Sequence, residues 1–304
     1  MSYLVVGEAL VDIVVPQNGV VREAPGGSPM NVAVGLSRLG VATSFLTRIG
    51  DDPYGERIRQ HLSDSGVRLV EGSVVPGTRT PTATAHLDAS GAATYEFDLT
   101  WDLQHRPLPH GTSALHIGSI GTTLSPGRDA VADLAQDAYR AGLLVSFDPN
   151  VRATFLQDPA EEWQRFLAWA AHARIVKMSD EDLDLLAPGA ATEDAAELIL
   201  DRGATDVLVV TQGGHGAKAF TSRHRSSIPI PGTSAVVDTV GAGDSFMAAL
   251  LAITDQWGPD RLPDLDEHGL EILVRGAAEA AAVTCTRPGA DPPRRSELRP
   301  DWPL

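Results

Sequence analysis

Short runs of β-branched residues recur along this chain, and most are followed by a segment with readable helix start and stop signals. Alternation of that kind has few solutions. The strands line up in parallel, and the helices that return the chain cover both faces of the sheet. The first run is Tyr3-Leu-Val-Val-Gly7, and Leu10 to Val15 follows as a second. Ser28 then has the character of a helix N-cap with Pro29 at the first helical position; Val32, Val34, Leu36 and Leu39 supply an apolar side, and Gly40 a stop. A strand is expected over 43–49, and Asp52-Pro53 opens a helix that stops at Gly66. Further helices are expected over 126–141, 158–172, 192–202, 243–256 and 267–284, and strands over 114–118, 143–147, 174–178 and 206–211. The fold class is therefore α/β, with a doubly wound, mostly parallel sheet. The 304 residues suffice for one large domain, and no internal repeat divides them.

One stretch breaks the pattern. Within 74–99, Thr82–Leu87 and Ala93–Leu99 are separated by Asp88-Ala-Ser-Gly-Ala92, which predicts a β-hairpin. Such a hairpin either extends an edge of the main sheet or forms a separate small sheet over a site. Trp101, Phe97 and Tyr95 lie near it as core or pocket aromatics.

Charge narrows the partners. The formal net charge of −16 argues against general binding to nucleic acid or to an anionic membrane surface, both of which need basic surface. An anionic ligand would have to be held by local devices. Cys285 is the only cysteine, so neither an intrachain disulfide nor a cysteine-built zinc site is available. Met1 to Val15 has no basic leader before an apolar run, and no apolar stretch approaches the roughly 20 residues of a membrane span. A cytoplasmic chain is expected.

Such local devices are present. In Val236-Val-Asp-Thr-Val-Gly-Ala-Gly-Asp-Ser-Phe246 a short β run enters a Gly-Ala-Gly turn and an apolar helix begins at once. Free N–H groups at such a helix start bind anions. Asp244 is there either as a first-turn acid or as a general base beside a developing phosphoryl charge. Pro25-Gly-Gly-Ser-Pro-Met-Asn31 repeats the theme, with Asn31 in a first turn, either as a plain loop–helix junction or as a ligand approach. Asp12 is a carboxylate in an apolar run, either at an edge facing solvent or paired with hydroxyls. Asp148, Asn150 and Arg152 follow one strand, and Thr211-Gln-Gly-Gly-His-Gly216 follows another, where open parallel sheets bind ligands. No Walker A loop, no Gly-x-Gly-x-x-Gly after the first strand, no His-Glu-x-x-His and no Gly-x-Ser-x-Gly occurs. A Rossmann oxidoreductase, a histidine zinc enzyme and a serine hydrolase are correspondingly poor readings.

Together these residues resemble the ribokinase-like (PfkB-type) sugar kinases over nearly the whole chain. The resemblance is carried by Gly26-Gly-Ser-Pro-Met-Asn-Val-Ala through Arg48-Ile-Gly-Asp-Asp52 and by Asp238-Thr-Val-Gly-Ala-Gly-Asp-Ser-Phe246. Gly7-Glu-Ala-Leu-Val-Asp12, Asp148-Pro-Asn-Val-Arg152 and Thr284-Cys-Thr-Arg-Pro-Gly-Ala290 are most similar to the fructokinase branch. The resemblance implies a single domain over 1–304 and an ATP-dependent kinase acting on a sugar hydroxymethyl group, with fructose to fructose 6-phosphate preferred. Asp244 would be the base, and the amides of Gly241, Ala242 and Gly243 the anion hole. Asp12, Gly26, Gly27, Asn31 and Asn150 would hold sugar hydroxyls, with Arg152 on substrate or phosphate. Lys177, Ser179, Thr211, Gly213, Gly216, Ala278 and Glu279 match the nucleotide side. Asp238, Val240, Thr284, Arg287 and Gly289 match a loop pair for a monovalent cation such as K⁺, and Mg²⁺ would arrive with ATP.

There are departures. Where the family often has Asn-x-x-Glu for metal and waters, this chain has Ser179-Asp-Glu-Asp182, leaving Asp182 as the candidate for Mg²⁺ through water. Glu279 replaces a common Asn and His215 a common Lys. The resemblance also implies that 12–22 and 74–99 form a lid over the sugar, and that a homodimer can pair through it. The alternatives are a 2-keto-3-deoxygluconate kinase, for which Arg79, Arg106 or Arg152 would meet the acid, a ribokinase or nucleoside kinase, and a catalytically silent sugar-binding regulator.

Overall fold

The computed structural model describes residues 1–16, 19–87, 93–229 and 236–303. The chain enters through β1 (Ser2–Val6), then passes to β2 (Leu10–Val15) and β3 (Arg22–Gly26). Next come α1 (Ser28–Arg38), β4 (Ala42–Leu46), β5 (Ile49–Gly50), α2 (Pro53–Asp64), β6 (Arg68–Leu69), β7 (Val74–Val75), β8 (Thr82–Leu87) and β9 (Ala93–Asp98). Regular alternation follows: β10 (Ala114–Gly118), α3 (Gly127–Arg140), β11 (Leu144–Asp148), α4 (Pro159–Ala170), β12 (Ile175–Ser179), α5 (Asp180–Leu186), α6 (Thr192–Leu200) and β13 (Val207–Thr211). The hairpin strands β14 (Ala217–Phe220) and β15 (Arg225–Ile228) precede α7 (Ala242–Trp257) and α8 (Glu267–Cys285).

Nine strands form the main sheet in the order β15-β14-β13-β12-β11-β10-β1-β4-β6, parallel except for β14 and β15 at one edge. β1 is buried on both faces and shows why the strands read as unbroken apolar runs. Tyr3 and Val5 pack into the core shared with α1, α7 and α8, while Leu4 and Val6 pack into the opposite core shared with α3, α4, α5 and α6. After β1 the chain builds outward to β4 and β6, then returns to β10 on the other side and continues to β13. That reversal beside β1 opens a crevice at the carboxyl ends of the strands, the usual ligand position in such sheets.

The second sheet, β3-β2-β8-β9, stands apart. β8 and β9 are the expected hairpin, antiparallel from Thr82↔Asp98 to Leu87↔Ala93; its connection, 88–92, lies outside the described residues, as do 17 and 18 of the stretch 12–22. Two boundaries expected from sequence are corrected. β7 pairs with β5 in a two-stranded ribbon, so 74–75 is not part of this sheet, whereas β3 extends it to Gly26. The expected strand 43–49 is likewise two strands in different sheets.

Candidate active site

Two helix N-termini meet at one carboxylate. α7 starts at Gly241, which caps it in the left-handed region with φ 75°. A side chain there would be strained, and its Cβ would lie 2.5 Å from the Cβ of Ala290. Asp244 follows in the first turn, 7% exposed. Rather than capping its own helix, it reaches α1: Oδ1 accepts from the Ser28 hydroxyl at 2.6 Å and Oδ2 from Asn31 Nδ2 at 2.7 Å. This corrects the expectation that Ser28 is the N-cap of α1. Gly27 is the cap, with φ 111°, and its backbone leaves the Ser28 side chain free to donate to Asp244. The Gly241 and Gly243 amides have no partner among the described residues, whereas the Ala242 amide is committed to Thr239 O at 3.2 Å.

Asp12 faces this pair from β2, an interior strand of the second sheet, so it is not an edge acid turned to solvent. It packs against bare backbone: a Cβ on Gly26 would come within 2.0 Å of Asp12 Oδ2. Burial pushes its pKa up to about 6, with the Arg152 guanidinium opposing and the Asp244 carboxylate adding to the rise. Asp12, Arg152 and Asp244 therefore share one electrostatic neighbourhood. Gly27 is similarly constrained, since a Cβ there would lie 2.6 Å from Glu8 O.

Backbone strain gathers at the same edge. Ser119 (φ 53°) and Asn150 (φ 37°) are the non-glycine residues at positive φ among those described. They follow β10 and β11, which are hydrogen-bonded neighbours with Gly118 opposite Asp148. Each costs about 1–2 kcal/mol. Strain of this kind persists where surrounding structure holds it and concentrates at ligand sites.

On the other side of the Gly-Ala-Gly turn lies a buried ion pair. Lys177 Nζ donates to Asp148 Oδ2 at 2.9 Å, and a Cβ on Gly243 would sit 3.0 Å from that ammonium. Burial pulls the Lys177 pKa down, but Asp148, Asp182 and Asp244 outweigh it and raise it. Burial pushes Asp148 up to about 6 against the field of Lys177. Its Oδ1 is buried without a hydrogen-bond partner. Burial and then Lys177 drive His116 down to about 3, so this imidazole is neutral.

The remaining residues, expected from sequence on a nucleotide side and at a cation loop, divide. Ser179 and Asp182 form a capping box at α5, and Asp182 Oδ1 also accepts from the Val151 amide at 2.6 Å. Thr211 ends β13, and Gly213 and Gly216 bound the short turn beyond it. Asp238 joins the loops 236–240 and 285–291 by accepting from the amides of Val240 (3.1 Å) and Gly289 (2.8 Å). Thr284 Oγ1 is buried against Ser245 Oγ at 2.6 Å. Arg287 pairs with Asp291 and Glu297. Ala278 is buried within the α1/α7/α8 core, and the Glu279 carboxylate is held by Arg299 at 2.7 Å, so neither is an open ligand position in this arrangement. Trp101 is core, with Nε1 bonded to Gly121 O, and Phe97 of β9 packs on Phe155.

Residues 2–297 match the family model described as pfkB family carbohydrate kinase. This chain belongs to that family. Among its carbohydrate kinase relatives is probable fructokinase-4 of Arabidopsis thaliana, 33% identical over 96% of this chain and 94% of the relative. A fructokinase structure with bound ATP from Xylella fastidiosa superposes with a TM-score of 0.84 at 27% identity, covering 95% of this chain and 93% of the other. A fructokinase double mutant from Vibrio cholerae O395, in its fructose-, ADP- and potassium-bound form, gives 0.78 at 28% identity, with coverage of 95% and 94%. Sequence reasoning missed Ser28 as a partner of Asp244, and it did not single out the buried Glu8 or Ser119. Among the described residues no helix is long and apolar enough to cross a membrane.

Proposed function

We propose that this chain transfers the γ-phosphoryl group of ATP to the hydroxymethyl group of fructose, giving fructose 6-phosphate and ADP. The observation that carries this reading is the fixing of Asp244 at the start of α7 by Ser28 and Asn31, with Asp12 facing it. Asp244 takes the proton of the sugar hydroxyl as its oxygen attacks the γ-phosphorus, and the bond from that phosphorus to the β–γ bridging oxygen breaks. Catalysis of phosphoryl transfer is mainly positioning and charge stabilisation. The free amides of Gly241 and Gly243, with the Lys177 ammonium behind them, supply positive potential at that point. Asp12, Gly26, Gly27, Asn31, Asn150 and Arg152 hold the sugar in this reading. Thr211, Gly213 and Gly216 flank the nucleotide.

Mg²⁺ brought with ATP would neutralise phosphate charge. The unpartnered Asp148 Oδ1 and the neighbouring Asp182 carboxylate fit a hydrated cation, with phosphates and waters as its other ligands. The loop pair joined by Asp238 is the proposed K⁺ position. The second sheet is the proposed lid, which excludes water and suppresses ATP hydrolysis, and through which two copies would pair; the cytoplasm is the proposed compartment.

Fructose is preferred over an acidic sugar because two of three candidate arginines are engaged. Arg79 pairs with Asp98, and Arg106 donates to Glu71 O at 2.6 Å. Only Arg152 remains for a carboxylate. The test is ADP release with fructose, ribose, 2-keto-3-deoxygluconate and adenosine, with and without K⁺. Turnover should be strongest on fructose. Faster turnover on the keto acid would overturn the acceptor assignment, and silence on every acceptor would overturn the kinase reading.

A further inference from the structure

Glu8 lies in the three-residue link between β1 of the main sheet and β2 of the second. It is 4% exposed, an unusual place for a carboxyl. Its Oε2 accepts from the Gly121 amide at 3.1 Å, in the short 3-10 turn Ser119–Thr122 beyond β10. The buried Ser119 hydroxyl faces the same carboxyl without a well-formed hydrogen bond. The main-chain oxygen of Glu8 lies flush against Gly27, where no Cβ fits. One residue thus touches the strained turn after β10 through its side chain and the start of α1 through its backbone. The charged group whose field reaches it is Arg152, from the loop after β11, and the same guanidinium acts on Asp12.

A neutral amide could meet the Gly121 N–H equally well at less desolvation cost. What an amide cannot do is attract Arg152. We propose that Glu8 is a positioning residue for the sugar site: its ionised carboxylate fixes the Ser119–Thr122 turn against Gly27 and biases the exposed Arg152 guanidinium, which lines the same cavity as Ser119, so that Asp12, Gly27 and Arg152 present one pocket to the acceptor. The proposal rests on the reading of those three residues as sugar contacts. Glu8 touches no reacting atom in it.

Burial pushes the Glu8 carboxyl up to about 7, with Ser119, Gly121 and Arg152 holding it lower than burial alone would. Its charge therefore changes in a range where the enzyme can be assayed, above the Asp12 transition at about 6.

The experiment measures KM for fructose, KM for ATP and kcat from pH 5.5 to 9 on the full chain, for the native protein, Glu8→Gln and Asp12→Asn. In the native protein KM for fructose should rise as pH falls through 7. Glu8→Gln should raise KM for fructose about tenfold at pH 8, the equivalent of about one pKa unit of differential interaction. Its KM for ATP should stay within about twofold, and the transition near pH 7 should vanish while the lower one persists. A flat native profile from pH 6 to 8 overturns the proposal even if the variant fails to fold. So does a Glu8→Gln protein with native fructose KM, or one that loses fructose and ATP binding together alongside a lower melting temperature. Asp12→Asn with native fructose affinity would instead refute the underlying sugar-site reading.

Discussion

Replacing Lys177 with Met isolates the buried ion pair beneath the Gly-Ala-Gly turn. Methionine keeps the length and apolar stem of the side chain and removes only the ammonium. What is stranded is Asp148, 1% exposed, with Oδ1 already unpartnered and Oδ2 losing its contact at 2.9 Å. Removing one partner of a buried pair costs about 3–5 kcal/mol. For 304 residues, unfolding entropy of about 2 cal/mol/K per residue converts this to a melting-temperature loss of roughly 5–8 °C at pH 8. The sign of the pH dependence follows from Asp148. Burial already raises its pKa to about 6 with Lys177 present, and without the cation it rises further. A carboxyl raised in the folded state is penalised as pH rises from its unfolded value, about 3.9, through its folded value. Acid relieves that penalty: at pH 5.5 Asp148 lies below its folded pKa with or without Lys177, so most of the loss should be recovered. Thermal and urea denaturation at both pH values would measure it, with Asp148→Asn/Lys177→Met as the neutral control that should restore most of the stability at pH 8. Equal losses at pH 5.5 and pH 8, or a double variant as unstable as Lys177→Met, would refute the charge reasoning.

Asp244→Asn should reduce kcat by about 10²–10⁴, the usual worth of a general base, while the melting temperature stays close to native because Ser28 and Asn31 retain a partner of the same shape; steady-state ADP release checks it. Gly241→Ala forces a side chain into the left-handed region at φ 75° and against Ala290. It should cost at least 1–2 kcal/mol of stability by calorimetry and about 10²–10³ in kcat as the amides turn away.

How much was legible in the sequence varied with the kind of interaction that fixes each part. The parallel strands and the helices at 127–140, 242–257 and 267–285 were readable because burial on both faces and helix boundaries leave local traces. β3 was not: Arg22-Glu-Ala-Pro-Gly26 has little strand propensity and exists through its pairing with β2. β14 and β15, four residues each, are too short to show a period. Asp244, Asn31 and Asp12 stood out as candidates because unusual glycines or an apolar run flank them. Ser28 was misassigned because a serine before Pro-Met looks like a cap, and only the distant α7 shows what its hydroxyl meets. Ser179-Asp-Glu-Asp182 carries a local capping-box signal that the structure realises at α5, alongside the metal reading given to it from family resemblance. Glu8 and Ser119 leave no such trace, since neither burial of a lone carboxyl nor positive φ is visible in residue order.

The two hydrogen bonds that hold Asp244 span 216 and 213 residues of chain. They therefore belong to the least local contacts in the molecule, the kind whose loop-closure entropy must be met before any gain is realised. α1 and α7 can each form early, yet the carboxylate has no fixed direction until both ends of the chain have docked on the same face of β1, where α1 packs against α7. Refolding should accordingly separate in time: helical signal first, then tertiary fluorescence, and phosphotransfer only with the final closure. Activity in this fold reports completion of folding rather than its progress, and a partly assembled chain holds no oriented Asp244 carboxylate.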